Sequence, residues 1–145
     1  MRYPLVQTGM GWVAGPRLVA ATTEAGGLGI LASATMSLDE LAAAIAEVRK
    51  RTTGPFGVNL RTDVADVHER IALMIETGAR VASFAQAPNP ALVTRCKEAG
   101  LFVMPTVGAR RPVGEGGHQA APVVEATGAE DEHAVADGID HLREQ

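Results

Sequence analysis

The feature that most constrains this chain is a rhythm. Short apolar runs recur at residues 4–7, 28–32, 56–60, 80–84 and 101–106, and longer amphipathic stretches separate them. The period is roughly 25 residues, the length of one strand, one helix and two turns in a parallel βαβ unit. The runs from 28 onward are apolar almost without interruption, as parallel strands are when helices and neighbouring layers cover both faces. Right-handed crossovers then put the helices on the outside of the sheet.

The punctuation agrees with that rhythm. Pro16 suits a first helical turn, and Leu18, Val19 and Ala21 begin the buried face expected of the first helix. Gly26-Gly27 ends it. Ser37, with Glu40 three residues on, is a capping box for a second helix reaching Arg51, with Leu38, Leu41, Ile45 and Val48 at helical spacing. A third helix is expected from Asp63, carrying Val64, Val67, Ile71, Leu73 and Ile75 and ending at Gly78; a fourth runs from Pro90 to Ala99 and closes at Gly100. Residues 1–111 therefore read as one βα array.

Residues 112–145 do not continue the pattern. They carry Glu115, Glu125, Glu130, Asp131, Glu132, Asp137, Asp140 and Glu144 against the single cation Arg143. One short amphipathic helix is expected from about Glu130 to Arg143, on Val135, Ile139 and Leu142. This is an acidic tail, distinct from the array.

Composition narrows the partners. A net charge of -4 without a basic stripe argues against a phosphate backbone as ligand, and 3% aromatic residues leave few platforms for stacking bases. A lone cysteine, Cys96, excludes an internal disulfide and a thiolate cluster, and the histidines are too irregularly placed for a metal site. No run approaches the ~18 apolar residues of a membrane span, and the start has no signal-peptide core. A cytoplasmic protein is expected.

In parallel α/β folds ligands sit at the carboxyl ends of strands. Gly9-Met10-Gly11 follows the first strand: the pair of glycines either lets backbone approach a ligand closely or makes a tight structural turn. Asn59 ends the third strand inside an apolar run, so its amide either caps local backbone or faces a polar ligand. His118, in Gly114-Glu115-Gly116-Gly117-His118, is either a proton acceptor near neutral pH or a solvated loop histidine. His68 reads as a surface residue. Cys96, with Arg95 and Lys97 beside it, reads as an ordinary helical cysteine.

Residues 3–16, Tyr-Pro-Leu-Val-Gln-Thr-Gly-Met-Gly-Trp-Val-Ala-Gly-Pro, resemble the opening of nitronate monooxygenases (2-nitropropane dioxygenases) and of the related FMN-dependent enoyl-ACP reductases. The likeness returns at residues 24–31, 55–60 and 81–84, in the family's order. It implies a TIM-type (β/α)8 barrel, here about five parallel strands and four helices, with FMN at the carboxyl ends of the strands. Gly9, Met10, Gly11 and Asn59 map onto flavin-contacting positions, and His118 onto the histidine of a Glu-x-Gly-Gly-His turn. The implied reaction is oxidative denitrification of an alkyl nitronate with O2; the alternatives are enoyl thioester reduction or an inactive remnant serving as an interaction module. Only Pro112-Val113 stand where the family has a helix and a sixth strand. A whole barrel takes about 250 residues, and its phosphate loops follow strands 7 and 8. The 145-residue chain is therefore expected to leave an open sheet edge and to self-associate.

Overall fold

The computed structural model describes residues 1–105. The elements alternate strictly: β1 (Val6–Gln7), α1 (Pro16–Glu24), β2 (Leu28–Ala32), α2 (Leu38–Arg51), β3 (Phe56–Leu60), α3 (Val67–Thr77), β4 (Val81–Phe84), α4 (Pro90–Glu98) and β5 (Phe102–Pro105). The strands form one parallel sheet in the order β1-β2-β3-β4-β5, which is a half-barrel with its helices on one side. The expected tail helix lies outside the described residues.

Strand alternation divides the side chains between two layers. Leu31, Phe56, Val58, Leu60, Ala82, Phe84 and Val103 point to the helices and meet Val19, Leu41, Ile45, Val48, Ile71, Met74, Leu92 and Cys96 in the main core. Each large side chain buried there contributes ~1.5–3 kcal/mol by removal from water. The opposite face carries a smaller cluster, Leu28, Ile30 and Val81, with Met1, Phe102 and Met104 packed on it. Arg2 and Tyr3 both donate backbone N–H bonds to the Gly26 carbonyl (2.7 and 2.9 Å), which pins the segment next to Met1.

Local chemistry sets most helix ends. Ser37 caps α2: its hydroxyl accepts from the Glu40 N–H while the Glu40 carboxylate accepts from the Ser37 N–H. Asn89 caps α4 through the Leu92 N–H at 2.9 Å. Gly78 ends α3 at φ 73°, a left-handed conformation that glycine adopts without steric cost.

Three expectations need correction. The third helix begins at Val67, not Asp63. Arg61 reaches two residues forward to the Asp63 carboxylate (2.5 and 2.8 Å), and this local pair occupies the stretch that the apolar spacing had assigned to the first helical turn. Val64 still packs on the core, from the loop. The buried stripe of α3 is Val67, Arg70, Ile71 and Met74, and Ile75 is exposed. In α1 the buried residues are Val19, Ala20 and Thr23, whereas Leu18 and Ala21 face outward. Gly29 explains that rotation. A Cβ there would stand 2.4 Å from the Val19 carbonyl oxygen, so α1 sits directly on the β2 backbone and presents its small residues to it.

Candidate active site at the carboxyl ends of the strands

The interior face of the sheet is built in rows. Ile30, Gly57, Val81 and Phe102 are register partners across β2, β3, β4 and β5 and form an apolar floor. One step toward the carboxyl ends, Ala32, Asn59, Ser83 and Met104 form the next row. The chemistry changes between the two rows, from hydrocarbon to an amide and a hydroxyl.

Asn59 and Ser83 are both buried, 7% and 5% exposed, which makes their hydrogen bonding decisive. The Asn59 amide donates to Ser83 Oγ at 3.4 Å, a long bond. Its backbone is held separately: Ser33 Oγ donates to the Asn59 carbonyl at 2.5 Å.

The loop after β1 closes over this row. A Cβ on Gly9 would lie 2.4 Å from Asn59 Cβ and 3.4 Å from the Leu31 carbonyl oxygen. The Gly9 backbone thus rests against the Asn59 side chain, and the structure brings these two predicted site residues together. A Cβ on Gly11 would lie 3.5 Å from the Thr35 methyl, an ordinary contact. Met10 is partly exposed. Its carbonyl accepts from both Val13 and Ala14 N–H (3.1 and 2.8 Å), and the Ala14 carbonyl accepts from the Ala32 N–H at 3.0 Å. The loop is therefore tied to the end of β2. Trp12 at its tip adopts φ 58° and is 91% exposed. At the root of the loop, Gln7 Nε2 donates to the Thr8 and Ile30 carbonyls, while its buried Oε1 has no partner among the described residues. His118 lies outside the described residues.

Three contributors escaped the sequence reading. Ser83 occupies the same row as Asn59, and a polar residue inside an apolar run was the available signal. Ser33 follows β2 directly and is 1% exposed. Arg70 is 7% exposed, on the inner stripe of α3. Its guanidinium donates to the Ser33 carbonyl (2.8 Å) and the Met36 carbonyl (2.8 Å), and forms a two-pronged pair with Asp66 (2.9 and 2.8 Å). Hydrogen bonds from Arg70 hold the Asp66 carboxyl below its usual range. The visible signal was an aspartate four residues before an arginine, at apolar spacing.

Other groups stand apart from the site. His68 is exposed and contacts Arg95 at 2.9 Å. Cys96 is fully buried, and desolvation pushes its thiol up to about 11, against the lowering effect of Arg95. Among the described residues no group of acids, histidines and cysteine has the arrangement of a metal site, and no helix is long and apolar enough to cross a membrane.

The nitronate monooxygenase family matches residues 1–131. Among curated relatives, (3aS,4S,5R,7aS)-5-hydroxy-7a-methyl-1-oxo-octahydro-1H-indene-4-carboxyl-CoA dehydrogenases from Mycobacterium tuberculosis and Rhodococcus jostii are 55% and 51% identical over 138 residues, 85% of this chain. The chain spans 39% of their length. A probable nitronate monooxygenase of Staphylococcus aureus is 37% identical over 60 residues, 41% of this chain and 17% of the relative. Among solved structures, FabK of Thermotoga maritima superposes with a TM-score of 0.69 at 38% identity, over 74% of this chain and 35% of FabK. Nitroalkane oxidase of Streptomyces ansochromogenes gives 0.65 at 27% identity, over 73% of this chain and 41% of the oxidase. A half-barrel with its polar row at the carboxyl ends of the strands, matched along most of its length, belongs to the nitronate monooxygenase family.

Proposed function

We propose that the chain forms the amino-terminal part of an FMN-dependent oxidoreductase whose substrate is a CoA thioester of a fused-ring hydroxy acid. The observation that carries the flavin reading is the Asn59 amide, buried above an apolar floor, with a long bond to Ser83 and the Gly9 backbone against it. A flat heterocycle with alternating donors and acceptors on its edge, lying over hydrocarbon, fits that row. Asn59 would hold a polar edge of the ring system, with the backbone of Gly9, Met10 and Gly11 beside it. Ile30, Val81 and Phe102 would keep water from beneath it. When bound, FMN supplies a two-electron acceptor. The phosphate-holding loops of such barrels follow strands 7 and 8, and the described residues end with β5.

The substrate class rests on the relatives at 55% and 51% identity. In the compound that names them, the hydroxyl on ring carbon 5 neighbours carbon 4, which bears the thioester. It is a β-hydroxyacyl thioester, and oxidation to the β-keto form removes two electrons and two protons. His118, whose intrinsic pKa suits proton transfer near neutrality, is the proposed proton acceptor.

A second reading, oxidative denitrification of alkyl nitronates with O2, is favoured by the family match and by the Staphylococcus aureus relative. Turnover separates the two. With FMN present, a fused-ring β-hydroxyacyl-CoA is expected to be oxidised, with the β-keto thioester read by mass spectrometry. Nitrite release from a nitronate, with the thioester untouched, would reverse the assignment. NADH oxidation driven by an enoyl thioester would assign a FabK-like reduction instead.

A further inference from the structure

We propose that Arg70 is a positioning residue for the ligand-facing amide of Asn59, an inference that rests on the flavin reading above. A buried guanidinium needs nearly all its donors matched, because an unpaired cation out of water is costly. Arg70 meets that need with two backbone carbonyls of the loop after β2, Ser33 and Met36, and with the Asp66 carboxylate. A planar fork is required for this: lysine, a point charge, cannot hold two carbonyls and both carboxylate oxygens in one geometry. The charge makes these bonds stronger than neutral ones.

What Arg70 fixes is one end of a short relay. The Ser33 carbonyl is held by Arg70 and also accepts the Met36 N–H at 3.1 Å. The Ser33 hydroxyl donates to the Asn59 carbonyl, and the Asn59 amide bonds Ser83 on β4. Three neighbouring strand ends are thus braced at one level from α3. The middle of the relay is the Asn59 side chain, in the row at the carboxyl ends of the strands. Gly9 presses on that side chain from the opposite loop. Arg70 touches no ligand position itself; it sets where Asn59 can point.

The test compares Arg70→Lys with Cys96→Ala, a cavity variant in α4 that leaves the relay intact and lowers stability in its own right. FMN affinity is read by fluorescence quenching, and amide exchange by mass spectrometry on peptides covering residues 33–37. Arg70→Lys is expected to weaken FMN roughly ten-fold or more, the scale of losing one charge-assisted hydrogen bond. It is also expected to accelerate exchange of the Met36 amide, while Cys96→Ala does neither at a matched fall in melting temperature. Wild-type exchange in Arg70→Lys, or the same changes in Cys96→Ala, would overturn the proposal. If the unsubstituted protein binds no FMN, the flavin reading fails on its own account, and the exchange comparison alone decides for or against Arg70.

Discussion

A side chain on Gly9 would have to share space with Asn59, since its Cβ would stand 2.4 Å from Asn59 Cβ. Relief must come from the loop or from the strand end, because the atom in the way is the root of a buried side chain. Gly9→Ala is therefore expected to destabilise the protein by about 1–3 kcal/mol, the usual range for overpacking a tight site. Urea unfolding would show it as a lower midpoint at unchanged slope. The glycine pair was visible in the sequence, but its physical reason was not: the clash partner lies 50 positions away, on a strand whose register only the sheet defines. Cys96 is a simpler case. It reads as an ordinary helical cysteine despite its flanking cations, and the structure agrees: burial dominates and pushes the thiol up to about 11 from an ordinary value of 9.0. With the folded value raised, the stabilisation is complete below pH 9 and is lost as pH rises toward 11. Native protein at pH 8 is expected to resist thiol reagents that label it at once in urea, and fast native labelling would contradict the buried assignment.

Element boundaries were legible where the cap lies in the chain itself. The α2 capping box could be read from Ser37 and Glu40 alone, and the structure shows both of its bonds. Ser37→Ala is expected to cost about 1 kcal/mol, measured as a shift in thermal or urea midpoint. The hydrogen bonds from Ser37 hold the Glu40 carboxyl below its usual range, so the cap's contribution is present above the ordinary carboxylate pKa and is lost as pH falls through the depressed value. The start of α3 was less legible. Periodicity from Val64 onward was genuine, but the Arg61–Asp63 pair keeps that residue in a loop. The inner stripe of α3 was misread for a related reason. Arg70 is polar by type yet buried by its partners, two of which are backbone carbonyls more than 30 residues earlier. No periodicity argument can see acceptors of that kind.

At the scale of the molecule, the alternation of apolar runs and helices was enough to expect a parallel array of five strands, because βαβ connection rules leave few other arrangements. The interior rows were not readable, since they depend on register between strands. Asn59 could be singled out as a polar interruption, whereas Ser83 becomes its neighbour only once β3 and β4 are aligned. Among the described residues β5 pairs with β4 alone, and Phe102 and Met104 are only partly buried.

The row at the carboxyl ends of the strands, with Asn59 at its centre and Gly9 against it, is proposed as a flavin site. The most direct measurement is an FMN titration followed by flavin fluorescence, run on the unsubstituted protein and on Asn59→Leu. Saturable quenching near one FMN per chain is expected, weakened roughly ten-fold or more when the amide is replaced by an apolar group of similar size. Absence of saturable binding, or equal affinity in the two proteins, would contradict it.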